Sequence, residues 1–123
     1  MKIIFSKKIS KKEKIKDKRD IIKAYTKGIF VFIKGENLPR NSKLIKLYIT
    51  SIKGAQRAVF LVDNLTGDGF FLFCRSKNDK IGKNIVIKNP LFKRELEKYL
   101  QLLEADIRIN NLDLFEIDRK DTN

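Results

Sequence analysis

The sequence lacks the residues on which most enzyme sites are built. It contains no histidine, so it is without the usual general base near neutral pH and the commonest metal ligand. Its single cysteine, Cys74, lies in an apolar run and cannot form an intramolecular disulfide. No glycine-rich loop opens a predicted helix, and no cysteine pair or carboxylate cluster indicates a metal site. These absences argue against metal, nucleotide and acyl-transfer enzymes, and they predict a chain without a cofactor.

Long apolar runs are also missing. None approaches the roughly 18 residues of a membrane-spanning helix, and the N-terminus has no signal-peptide pattern, so we expect a cytoplasmic protein with no membrane partner. With 123 residues, 42% of them apolar, the chain suits a single domain with its own core. We expect that core over residues 1–104, followed by a partly flexible C-terminal extension over residues 105–123.

Acidic residues are scarce before residue 102. The formal net charge is +13, made up of +8 in residues 1–27, +8 in residues 28–101 and −3 in residues 102–123. This imbalance predicts a polyanionic partner, with RNA as the first choice. AT-rich codon usage, which raises lysine content without any function, and an anionic membrane surface are the alternatives.

The patterns before residue 42 predict a strand followed by helix. A short apolar run, Lys2–Phe5, suits a first strand. Ser10–Glu13 matches a capping box, after which apolar residues recur at helical spacing as far as Gly35, which is placed to end the helix. Gly28 should weaken or break it, and the β-branched and aromatic run Ile29–Ile33 leaves a strand as the alternative there.

Three strand-like runs come next, over Lys43–Ser51, Ala55–Asp63 and Phe70–Arg75, and short loops join them into an antiparallel meander. Asn89 followed by Pro90 marks the start of a last helix. Its apolar stripe consists of Phe92, Leu96, Tyr99, Leu100 and Leu103.

The cationic residues of these strands are the candidate functional residues. Lys46 and Tyr48 share one face of their strand, and Arg57 opens the next strand. Further cations follow through the end of the last strand, and a phosphodiester backbone is recognised by such a cluster. Each charge taken singly is also compatible with an ordinary solvated strand end.

The order of these pieces resembles the RelE/ParE superfamily of bacterial toxins, and in particular its RelE-like, mRNA-cleaving branch. The resemblance rests on the loop Gly35–Pro39, the strand start Lys43–Tyr48, the strand Arg57–Phe60, the basic segment Phe70–Lys80 and the helix Arg94–Leu100. It implies an α+β fold with a β-α-α-β-β-β core. In that fold a twisted antiparallel sheet carries two N-terminal helices on one face, and a C-terminal helix follows.

The resemblance also implies a function. The chain would be the toxin of a type II toxin–antitoxin system, a metal-independent endoribonuclease that cleaves ribosome-bound mRNA by attack of a 2′-hydroxyl on the adjacent phosphate. By position, the catalytic candidates are Arg57, Lys46, Arg75 and Lys77, and the candidate RNA-binding residues are Tyr48, Lys43, Lys53, Lys80 and Lys83. mRNA, the ribosome and an antitoxin protein would be the partners.

The sequence departs from the family at one place. Many members carry a tyrosine or histidine near the end of the last strand, and this chain has neither between Arg75 and Asn89. Two alternatives therefore stay open: an inhibitor with the RelE/ParE fold that does not cleave RNA, as in the gyrase-directed branch, and a plain basic RNA-binding protein.

Overall fold

The protein folds as an α+β structure with a six-stranded mixed sheet and three helices, and the computed structural model describes residues 1–117. The end of the predicted C-terminal extension, residues 118–123, lies outside the described residues. Within them, no helix is both long and apolar enough to cross a membrane. The elements are β1 (Lys2–Ser6), α1 (Lys7–Lys12), α2 (Arg19–Lys27), β2 (Phe30–Ile33), β3 (Ser42–Ser51), β4 (Gly54–Asp63), β5 (Gly69–Ser76), α3 (Pro90–Arg108) and β6 (Leu112–Glu116).

The strands lie in the order β2-β3-β4-β5-β1-β6. The predicted meander is confirmed and gains β2 as a fourth strand, because β2 through β5 pair antiparallel in succession. The prediction of a wholly antiparallel sheet is wrong at β1, which pairs parallel with β5. No hairpin turn links β1 to β5, since two helices and three strands intervene, and a long connection allows parallel pairing.

The helices lie on opposite faces of the sheet, whereas the resemblance implied both N-terminal helices on one face. On α2, Tyr25 packs on Phe60 of β4 with ring centroids 4.8 Å apart. On α3, Tyr99 packs on Phe73 of β5 with centroids 5.2 Å apart. A register shift separates the pairs Phe60–Phe71 and Val59–Phe73, so Phe73 lies opposite Val59. Val59 and Phe60 are adjacent on β4 and point to opposite faces. The remaining helix, α1, contacts α3.

Helix α1 begins earlier than the sequence predicted, because Ser6 and not Ser10 caps it. The Ser6 hydroxyl accepts a hydrogen bond from the Ile9 N–H at 3.2 Å, directly after β1 ends. The proposed capping box at Ser10 is therefore wrong, and Glu13 lies at the C-terminal end of the helix. The Glu13 carboxylate is engaged by β5 and α3, as described below.

The helix does not reach Gly35 as expected, but the predicted break at Gly28 is confirmed. Helix α2 ends at Gly28, whose φ of 72° is a left-handed conformation that glycine adopts without strain. The following residues Phe30–Ile33 form β2, so the strand alternative is confirmed. Aromatic and β-branched side chains favour a pleated strand, and pairing with β3 overrides the helical spacing.

Helix α3 starts as predicted and reaches further than the apolar stripe. Asn89 caps it by accepting from the Leu91 N–H at 3.1 Å, and the helix continues to Arg108. Its last turn buries Asp106 completely, and that carboxylate accepts hydrogen bonds from the Ser6 hydroxyl at 2.5 Å and the Lys8 N–H at 2.9 Å. Asp106 therefore joins α3 to the start of α1.

Candidate nucleic-acid interface

Tyr48 on β3 is the most exposed of the candidate functional residues that share one face of the sheet. Tyr48 lies directly opposite Arg57 of β4, so both side chains project from the same face. The Arg57 guanidinium carbon lies 4.3 Å from the centroid of the Tyr48 ring, and the Lys46 ammonium lies 5.8 Å from it. Since 46% of Tyr48 is exposed, the structure presents an aromatic ring flanked by two cations. We call these three residues the Tyr48 patch.

The β3–β4 hairpin positions this patch. The two strands pair from Ser42–Asp63 to Ser51–Gly54, which places Tyr48 and Arg57 three pairs from the turn. Lys46 is two residues before Tyr48 on the same strand, so its side chain lies on the same face. Antiparallel pairing therefore brings two of the catalytic candidates, Lys46 and Arg57, to one surface.

Arg75 on β5 lies directly opposite Arg57 on β4, but acidic side chains bind its guanidinium. Its guanidinium forms ion pairs with Glu13 at 2.7 Å and with Glu95 at 3.0 Å, and only 19% of its side chain is exposed. Burial opposes the charged form, yet the hydrogen bonds with Tyr99 and Glu13 dominate and raise the pKa of Arg75. Its charge is thus compensated inside the protein.

Tyr99 of α3 brings a tyrosine to Arg75 that the sequence pattern did not indicate. Its hydroxyl donates to the Glu13 carboxylate and lies 3.4 Å from an Arg75 nitrogen. Burial, followed by the hydrogen bond to Glu13, raises the pKa of Tyr99 to about 12. With 1% of the residue exposed, Tyr99 serves the packing of α3, as its place in the apolar stripe predicted.

The other predicted residues do not share one surface. Lys43 is three residues from Lys46 and points to the opposite face, where its ammonium lies 4.9 Å from the Phe32 ring centroid. Lys53 lies in the β3–β4 turn, and Lys77 follows β5 at the same end of the sheet, its N–H donating to the Ala55 carbonyl at 3.1 Å. Lys80 and Lys83 are exposed in the loop before α3.

Cys74 has a structural role. Its N–H donates to the Glu13 carboxylate at 3.0 Å, at a part of β5 that lies beyond the last pair with β1, Phe5–Phe71. Burial, and next the negative charge of Glu13, raises the pKa of the Cys74 thiol to about 11. The thiol is therefore protonated at neutral pH and is not a ready nucleophile.

A larger groove, of about 770 Å³, lies between α3 and the loop before β3. Its floor is apolar, and its rim is electrically mixed, with Glu36 paired to Lys93 at 3.2 Å and Glu104 paired to Arg108 at 2.7 Å. This rim offers no excess of positive charge to a polyanion, so the Tyr48 patch is the better candidate for RNA.

Within residues 1–117, no group of three histidine, cysteine, aspartate or glutamate side chains is placed to hold a metal ion. In comparisons with known proteins, no family model, no curated protein and no solved structure matches this chain.

Proposed function

We propose that the chain is a RelE-like toxin of a type II toxin–antitoxin system, an endoribonuclease that acts on ribosome-bound mRNA through the Tyr48 patch. The observation that carries the proposal is the exposed Tyr48 ring with Arg57 stacked on it and Lys46 beside it. Aromatic stacking of a base contributes about 1–3 kcal/mol to single-strand binding, and neighbouring cations bind the flanking phosphates. The +13 net charge attracts the same kind of partner.

The order of elements also supports this assignment. A strand, two helices and then an antiparallel meander follow one another, as in the β-α-α-β-β-β core expected of the family. The extra strands β2 and β6 extend that pattern at the two sides of the sheet. An antitoxin would be the protein partner and would neutralise the toxin by covering the patch.

The chemistry requires a base, an acid and stabilisation of charge on phosphorus. The 2′-hydroxyl oxygen attacks the adjacent phosphate, its proton passes to a base, and the bond to the 5′-oxygen breaks as that oxygen gains a proton. The products are a 2′,3′-cyclic phosphate and a 5′-hydroxyl. Arg57 supplies a planar guanidinium that can bind two phosphate oxygens, and Lys46 supplies a second cation for the charge that develops.

The second candidate function is RNA or target binding without cleavage, and the ion pairs of Arg75 favour it. Of the four cations proposed for catalysis, Arg75 is held by Glu13 and Glu95 and is not available to a phosphate. Primer extension on mRNA from cells in which the chain is induced separates the two candidates. Cleavage produces new 5′ ends, whereas an inhibitor that only binds arrests growth without them.

Replacing Tyr48 with alanine should weaken binding of a labelled single-stranded RNA by about 1–3 kcal/mol, because the stacking surface is removed. Tyr48→Phe is the matched control and should bind nearly as the wild type, since it keeps the ring. Fluorescence anisotropy at fixed salt measures both. Equal affinity of Tyr48→Ala and the wild type would contradict a base-stacking role.

A further inference from the structure

A small pocket of about 290 Å³ lies next to the Tyr48 patch, between α2 and the last residues of β3. We propose that this pocket is a nucleotide subsite that receives one unstacked base of single-stranded RNA, with the neighbouring phosphates held by two lysines of α2. The inference rests on the proposed function, which it extends from the patch to a second element. The pocket is lined by Asp20, Lys23, Ala24, Lys27, Ile29, Tyr48, Ile49 and Thr50.

The pocket exists because β2 is shorter than β3. Pairing between them ends at Phe30–Leu47, so β3 continues past β2 from Tyr48 onward. The left-handed turn at Gly28 ends α2 beside this part of β3 and leads into Ile29, which is 71% exposed. A recess thus forms between a helix and an extended strand. Tyr48 is among its lining residues, while the Tyr48 ring stacks on Arg57 on the other face of the sheet.

The walls of the recess suit a nucleotide. Ala24, Ile29 and Ile49 provide apolar contact for a base. Asp20 is the one acid among the lining residues and can accept a hydrogen bond from an amino group of a base.

The charges of α2 point to an anion at this position. Lys23 and Lys27 are four residues apart, so they lie on the same face of the helix and repel each other. Within residues 1–117, neither lysine forms an ion pair with an acidic side chain. A phosphate at the mouth of the pocket would relieve this repulsion.

The geometry selects single strands. A base inside a duplex is stacked and paired, and it cannot enter a recess or lie against Tyr48 without leaving its partner. We therefore expect single-stranded RNA to bind more tightly than a duplex of the same sequence.

Binding of single-stranded RNA over a salt series tests this subsite. The double variant Lys23→Gln/Lys27→Gln should bind about tenfold more weakly near physiological salt, and the slope of log affinity against log salt should fall by about 0.7 for each lost phosphate contact. The matched control is Lys7→Gln/Lys11→Gln, which removes the same charge at the same spacing from α1. This control should keep the wild-type slope.

The outcomes are distinct. If both double variants show the same slope and affinity, the α2 lysines act only through net charge and the subsite is refuted, while the proposed function stands as long as the wild type cleaves RNA. If the wild type binds duplex as tightly as single strands, the recess does not receive a base and the subsite is likewise refuted. If the wild type neither binds nor cleaves RNA, both proposals fail.

Discussion

Replacing Arg57 with alanine is expected to reduce RNA cleavage by about 10²–10³-fold. A loss of this size is typical when an enzyme loses one preorganised hydrogen-bond donor that stabilises a developing oxyanion. The side chain is half-buried and stacks on Tyr48, and its only hydrogen bond within residues 1–117 is to the neighbouring Gln56 carbonyl at 3.1 Å. Its loss should therefore change the free energy of unfolding by less than about 1 kcal/mol. Cleavage rates and urea unfolding of the same preparations measure the two effects.

Arg75→Ala is the informative comparison, because the two arginines face each other across β4 and β5. Removing Arg75 leaves the Glu13 carboxylate, whose side chain is 8% exposed, without its cation, while Glu95 keeps its ion pair with Lys98 at 3.0 Å. The expected loss of stability is about 3–5 kcal/mol. If Arg75→Ala lowered the cleavage rate while unfolding as the wild type does, Arg75 and not Arg57 would be the phosphate ligand.

The second large effect concerns Asp106, which is fully buried at the junction of α1, α3 and the segment before β6. Asp106→Ala should lower the free energy of unfolding by about 3 kcal/mol, because it leaves one buried and two half-buried hydrogen-bond donors without an acceptor. These donors are the Ser6 hydroxyl, the Lys8 N–H and the Asn111 side-chain amide. Glu104→Ala, which removes an exposed acid of the same helix, is the control and should cost less than about 1 kcal/mol.

The contribution of Asp106 should also depend on pH. Burial alone would raise its pKa, but the hydrogen bonds from Ser6 and Lys8 dominate and lower it below the ordinary value of 3.8. A lowered folded-state pKa gives stability that is present above the unfolded-state pKa and is lost as the pH falls through the folded value. The stability difference between the wild type and Asp106→Asn should therefore shrink below about pH 4. A difference that grew on acidification would show that the aspartate is buried in its neutral form.

Local patterns predicted β3, β4, β5 and α3 well, because these elements carry their own signals. The alternation of β3, the apolar run of β4 and the Asn89–Pro90 start of α3 each indicate one structure. Lys46, Tyr48 and Arg57 could be placed on one surface from these strands, since antiparallel pairing and side-chain alternation determine which residues meet.

The remaining features depend on contacts between distant residues, which a single sequence does not reveal. Glu13 matched a capping box by its spacing from Ser10, yet it bonds to β5 and α3, more than 60 residues away in the chain. The same contact removes Arg75 from the set of available cations. Nor could spacing indicate the recess beside Tyr48, which exists because β2 is shorter than β3.

The ends of the cleaved RNA test the central claim most directly. Wild-type protein, without added metal and with a chelator present, should convert ribosome-bound mRNA into fragments that end in a 2′,3′-cyclic phosphate and begin with a 5′-hydroxyl. Mass spectrometry of the fragments identifies both ends, and Arg57→Ala should yield about 10²–10³-fold less of them. Fragments that end in a 3′-hydroxyl, or intact mRNA at protein concentrations that saturate the RNA, would contradict cleavage by the Tyr48 patch.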